Sequence, residues 1–152
     1  MGPPPFQRFL DAYRDDVYRF LAASVGPHDA EDCFQETFLA ALRAYPRLTA
    51  DDNLRGWVLT IAHRKAIDVH RARSRRAGSD VPDGAAAPDR LDGEPALWAE
   101  VRALPAKQRA AVVHRYVNDL AYADIGAVLG CSTDAARRSV HEGLKKLREV
   151  WK

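Results

Sequence analysis

With 152 residues, 23 basic against 21 acidic side chains and a net charge of +2, the chain has room for one ordinary domain or two very small ones. No apolar stretch approaches the roughly 20 residues a membrane-spanning helix needs. The opening Met1-Gly2-Pro3-Pro4-Pro5 has neither the charge nor the apolar core of a signal peptide, so a cytoplasmic chain without membrane insertion is expected.

Helical periodicity starts at once. Phe6, Leu10, Tyr13, Val17 and Leu21 recur at steps of three and four and predict one buried helix face, ended by Gly26-Pro27. Asp29 is placed to cap a second helix, whose buried stripe is Phe34, Phe38, Ala41, Leu42 and Tyr45 before Pro46 interrupts it. The polar stretch Thr49 to Asn53 reads as a loop. A third helix, Leu54 to about Arg73, buries Leu54, Val58, Ile61, Ala62, Ala66 and Val69.

Between Ala77 and Pro95 the periodicity stops, and Gly, Pro, Ala and Asp dominate, the composition of a flexible acidic linker. It returns with Leu97, Val101 and Leu104, then with Val112, Val113, Tyr116 and Val117 after Pro105, a residue suited to a helix's first turn. Strand alternation is nowhere evident. The expectation is an all-α fold of two small helical modules, 1–76 and 96–152, joined by a linker over 77–95. How the modules sit against each other stays open, and so does a free state in which they pack together and hide their binding surfaces.

The strongest local signal is a helix-turn-helix between Leu120 and Leu147. A short helix carrying Tyr122, Ile125 and Leu129 is stopped by Gly130-Cys131, and Ser132 or Thr133 supplies a capping hydroxyl for the next. That next helix buries Ala136, Val140, Leu144, Leu147 and Trp151 and presents Asp134, Arg137, Arg138, His141, Glu142 and Lys145 on its other face. Arginine can bond guanine bidentately and glutamate can accept from cytosine, so this face suits a major groove. The bland reading of the same pattern is a solvated face on a small bundle.

Two further surfaces stand out in the N-terminal module. Asp32, Gln35, Glu36 and Leu39 share a face of the second helix, an acidic and partly apolar strip that repels phosphate and suits a protein partner. The third helix is basic, with Arg55, Arg64, Lys65, Arg71, Arg73, Arg75 and Arg76 against the single acid Asp68. With Trp57 and the polar loop Thr49, Asp52 and Asn53 beside it, this combination suits single-stranded nucleic acid. Trp57 fits either a stacking ring or a core residue at the helix start. Arginine in place of lysine suits planar contacts, although a GC-rich coding bias gives the same excess.

In order along the chain, these pieces resemble the extracytoplasmic-function (ECF) sigma factors of the sigma-70 family. Asp29-Ala30-Glu31-Asp32-Cys33-Phe34-Gln35-Glu36-Thr37-Phe38 looks like that family's region 2.2 helix. Leu54-Arg55-Gly56-Trp57-Val58-Leu59-Thr60-Ile61-Ala62 resembles the start of its promoter-reading helix. Leu104-Pro105, Arg115-Tyr116 and Leu120-Ala121-Tyr122-Ala123-Asp124-Ile125 resemble its region 4.

The resemblance implies a sigma factor that brings bacterial RNA polymerase core to promoter DNA and starts transcription there. Asp32, Gln35, Glu36 and Leu39 would dock on the clamp helices of the largest polymerase subunit. Thr49, Asp52 and Asn53 would capture a flipped base of the minus-10 element, and Arg55, Trp57, Arg64, Lys65, Asp68 and Arg71 would hold the separated strand. Ser132, Thr133, Arg137, Arg138, His141, Glu142 and Lys145 would meet the minus-35 element. It also implies an anti-sigma factor as a partner.

The chain departs from the family pattern at Asp134-Ala135-Ala136, where Gly-Thr-Val is usual, at Glu142, where an arginine is common, and at Arg64, where many relatives have asparagine. Gly143, beside Glu142, costs a helix interior roughly 1 kcal/mol relative to alanine.

The competing reading is a polymerase-independent helix-turn-helix regulator, for which the acidic strip would be dispensable. Enzyme chemistry finds no support: His28, His63, His70, His114 and His141 make no convincing site and read as surface residues. Cys33 and Cys131 are far apart, form no CxxC pair and read as core positions, and neither a metal nor a cofactor is expected.

Overall fold

The computed structural model describes residues 2–49, 52–77 and 95–150. In chain order the helices are α1 (Phe6–Val25), α2 (Pro27–Ala44), α3 (Leu54–Ala77), α4 (Pro95–Ala103), α5 (Ala106–Tyr116), α6 (Tyr122–Leu129) and α7 (Thr133–Val150), with a short 3-10 turn at Tyr45–Arg47 after α2. No strand occurs among the described residues, and the fold is all-α. The expected linker lies outside the described residues except at its ends, where Ala77 closes α3 and Pro95 opens α4. Trp151 also lies outside them.

Helices α1, α2 and α3 pack pairwise into one module, and α5 and α6 both pack on α7 in the other. The aromatic centre of the first is Phe9, whose ring lies 5.1 Å from that of Tyr45, 5.8 Å from Trp57 and 6.1 Å from Phe38. Phe9 and Phe20 are buried, whereas Phe6 and Leu10 of the expected stripe are only partly covered. Because α1 meets α4 and α5 as well as α2 and α3, its buried arc is wider than a single stripe and takes in Phe9 and Phe20, which lie off that stripe. The two modules therefore form one packed body, joined also by α3 against α6.

Helix starts differ from the expectation at two prolines. Gly26, with φ 89°, is the N-cap of α2, and Pro27 takes the first helical position, where a missing N–H costs nothing. Asp29 is thus a first-turn residue and not the cap. Pro105 itself is the N-cap of α5, one step before its expected place. Leu42, assigned to the buried stripe of α2, is half exposed because α1 and α3 cover the other side of that helix.

Candidate nucleic-acid interface

The helix-turn-helix is built as its residues dictate. Gly130 adopts a left-handed conformation (φ 74°, ψ 35°), and the Cys131 N–H donates back to the Gly126 carbonyl at 2.9 Å. The Ser132 hydroxyl accepts from the Ala135 N–H at 3.0 Å, capping α7. Gly126 is required by proximity: a Cβ there would lie 2.7 Å from the Cys131 carbonyl oxygen.

On α7, Ala136 and Val140 are buried and Leu144 and Leu147 partly so, while Thr133, Asp134, Arg137, Arg138, His141, Glu142 and Lys145 are exposed. Arg137 is steadied by an ion pair with Asp134 at 2.9 Å and by the Tyr122 ring, whose centroid is 5.0 Å from its guanidinium. Glu142 accepts from the Gln108 side chain of α5 at 3.3 Å. Arg138, His141 and Lys145 project from the same face.

At the start of α3, Asn53 caps the helix, and Thr49 and Asp52 bond to each other ahead of it. The Thr49 N–H donates to Asp52 Oδ2 at 2.7 Å, and Asn53 Oδ1 accepts from the Gly56 N–H at 3.1 Å. Trp57 is half-buried against Phe9, so the core reading and the stacking reading each describe part of one ring. Arg64, Asp68 and Arg71 are exposed and Lys65 is partly covered. The other arginines of the basic block do not all reach solvent. Arg55 pairs with Asp16 of α1 at 2.8 Å, and Arg73 pairs with Asp29 and donates to the Val25 carbonyl, tying α3 to the corner between α1 and α2.

Asp32, Gln35, Glu36 and Leu39 form an exposed strip along α2, and Leu42 lengthens its apolar part by one turn. Cys33 sits behind it, buried. Burial first, then Glu36, Asp29 and Asp32, push its thiol up to about 11, so it stays protonated and inert. Cys131 is only partly buried.

The histidines depart from the expectation. His28 and His141 are exposed, but His114 is fully buried and His63 is largely covered. Burial, with Arg109 and Arg64 adding to it, lowers His63 to about 4; burial, then His63 and Arg55, lowers His114 to about 3. Both are neutral rings of the core. Nothing in the one-dimensional pattern marked them, since their cover comes from the opposite module.

A three-helix module with an acidic and a basic face, packed on a capped helix-turn-helix, has the build of a promoter-recognising transcription factor. Residues 9–76 match the family Sigma-70 region 2, and residues 95–147 match Sigma-70, region 4. The chain is 33% identical over 156 residues to the RNA polymerase sigma factor CarQ of Myxococcus xanthus, covering 95% of this chain and 88% of that protein. It is 31% identical over 162 residues to the ECF RNA polymerase sigma factor SigE of Mycolicibacterium smegmatis, covering 96% of this chain but only 61% of the longer relative. The sigma factor RpoE from Bartonella quintana, solved in complex with the anti-sigma factor NepR, shares the fold with a TM-score of 0.78 at 22% identity, over 96% of each chain. The chain belongs to the extracytoplasmic-function sigma factors of the sigma-70 family. Its class is that of a transcription regulator rather than a catalyst, and no described helix is long and apolar enough to cross a membrane.

Proposed function

We propose that the chain directs bacterial RNA polymerase core to a defined set of promoters from the cytoplasm, without catalytic activity, cofactor or metal of its own. The observation that carries this reading is the separation of charge on one small module: an exposed acidic and apolar strip on α2, and an exposed basic face on α3. The first suits a protein partner and the second a nucleic-acid strand, and a protein that recruits an enzyme to DNA needs both.

In this reading Asp32, Gln35, Glu36 and Leu39 dock on the clamp helices of the largest polymerase subunit. Thr49, Asp52 and Asn53 border the pocket for a flipped minus-10 base, and Arg55, Trp57, Arg64, Lys65, Asp68 and Arg71 hold the opened strand. Ser132, Thr133, Arg137, Arg138, His141, Glu142 and Lys145 face the minus-35 element. An anti-sigma factor is the expected antagonist, supported by the fold shared with RpoE, whose structure includes one.

The test is in vitro transcription with purified core polymerase and fragmented genomic DNA of the source organism, mapping start sites with and without the protein. New starts that share two upstream elements are expected, and they should vanish when Asp32 and Glu36 are changed to lysine with helicity preserved. Absence of new starts together with absence of core binding by the folded wild type would overturn the reading.

A further inference from the structure

One guanidinium bridges the two modules. Arg55, in the first turn of α3, donates from Nε to Asp16 Oδ2 at 2.8 Å and from Nη2 to the Asn118 carbonyl at 2.6 Å. Asn118 Nδ2 in turn donates to the Asp16 carbonyl at 3.1 Å. Asp16 is steadied from its own helix by Arg19. Three segments remote in sequence, α1, α3 and the turn after α5, thus close a ring of hydrogen bonds.

The turn is shaped for this ring. Asp119 holds φ at 55°, a left-handed conformation uncommon outside glycine, and the Leu120 N–H donates to the His114 carbonyl at 3.0 Å. The tight winding leaves Asn118 buried, at 3% exposure, with its backbone and side chain both engaged by the N-terminal module.

Beside the ring, Phe20 of α1 stacks on His114 with centroids 4.2 Å apart and planes 6° from parallel. Neither His114 nitrogen meets a hydrogen-bonding partner among the described residues. Polar groups buried without partners are costly, and separation of the modules would return them to water. The interface therefore combines a charged ring with polar groups better satisfied in the open state. Those are the properties of a contact that opens, not of a permanent core.

We propose that the Asp16–Arg55–Asn118 ring is a clasp that holds the free protein closed, and that closure and DNA binding compete for Arg55. This rests on the reading of α3 as the strand-holding helix. The guanidinium that joins Asp16 to the Asn118 carbonyl is one of those assigned to the minus-10 strand, and the same donors cannot serve a phosphate at the same time. Strand affinity in the free protein is then reduced by the fraction of molecules that are closed.

The experiment pairs small-angle X-ray scattering, which reads closure, with anisotropy of a fluorescein-labelled mixed-sequence single strand of DNA, which reads binding. Asn118→Ala removes the amide that reaches across to the Asp16 carbonyl, and the isosteric Asp16→Asn removes the charge that, from within Arg55's own module, aims its guanidinium at the Asn118 carbonyl. The double variant is expected to raise the radius of gyration and to tighten strand binding about tenfold, the scale set by losing a charge-assisted contact. Arg55→Ala should open the protein equally and bind no tighter than wild type.

An unchanged radius of gyration in the double variant would overturn the clasp, and opening without tighter binding would overturn the competition. Arg64→Glu with Arg71→Glu separates the two ideas: if that variant binds the strand as well as wild type, the assignment of α3 fails, while scattering still decides the clasp.

Discussion

Replacing Gly143 by alanine sets two effects of known size against each other. Helix propensity alone favours the substitution by roughly 1 kcal/mol, because glycine in a helix interior surrenders more backbone freedom. The structure opposes it. Gly143 is buried where α7 crosses α5, and a Cβ there would sit 2.7 Å from Val112 Cγ2, with the Gln108 Cβ and carbonyl oxygen at 3.5 Å. Val112 is itself buried and β-branched, so its methyl cannot rotate freely away. Overpacking of this kind costs about 1–3 kcal/mol, which leaves a net destabilisation of about 1 kcal/mol and a fall in Tm of roughly 2–4 °C. Urea and thermal unfolding followed by circular dichroism measure it. The companion variant Val112→Ala removes the opposing methyl, so in the double variant the coupling should return about 1 kcal/mol or more. A Gly143→Ala protein more stable than wild type, or a double variant without coupling, would refute the claim that close helix approach selects glycine here.

Two more outcomes follow from packing and charge. Gly126→Ala drives a Cβ to 2.7 Å from the Cys131 carbonyl oxygen, backbone that the helix-turn-helix fixes, whereas Gly130→Ala meets no atom within 4 Å and pays only for its left-handed φ. Urea unfolding should therefore show the first costing more than the roughly 1 kcal/mol of the second, and equal losses would contradict it. For pH, His63 and His114 are held neutral in the fold, at about 4 and about 3, below their ordinary 6.5. The unfolded chain then binds more protons between those values and 6.5, so stability is full above 6.5 and falls as pH drops below it. From about pH 7 to about pH 5.5 each ring should remove roughly 1 kcal/mol. Arg55 of α3 and Arg109 of α5 disfavour the charged rings further, and Asp16 of α1 is already engaged by Arg55. His114→Phe keeps the stack on Phe20 without a titrating group and should about halve that slope, leaving the share of His63; an unchanged slope would clear His114.

The helix-turn-helix was legible because its signals are local: one glycine at the left-handed position, one hydroxyl cap and a stripe at helical spacing, all within one stretch of chain. The acidic strip of α2 was legible for the same reason. Phe20, His63 and His114 were not, because each is covered by a residue from the opposite module, and burial of that kind leaves no trace in the periodicity of its own helix. Leu42 erred the other way, apolar at a helical step yet half exposed beside Leu39. Gly143 read from sequence as a weakness in α7; in the structure it is what lets α7 approach α5.

The basic block on α3 shows how far a helical wheel can sort residues that composition lumps together. At about 100° per residue, Arg55 and Arg73 fall on one direction, while Arg64 and Arg71 fall about 180° and 160° away. The buried residues Leu59, Ala62 and Ala66 cluster around the first direction. The pairings follow the wheel: Arg55 ties to Asp16 and Arg73 to Asp29, both on elements that cover that face, while Arg64 and Arg71 remain exposed. The exposed positive charge of α3 in the closed protein is therefore carried by Arg64, Arg71, Arg75 and Arg76, with Lys65 at the margin. Arg73 belongs to the fold. Arg55 lies at the boundary, on the buried face but at its first turn, held by Asp16 of its own module on one side and by the Asn118 carbonyl of the opposite module on the other. The proposed competition falls on Arg55 because its Nη2 is the donor bonded to a carbonyl of the opposite module.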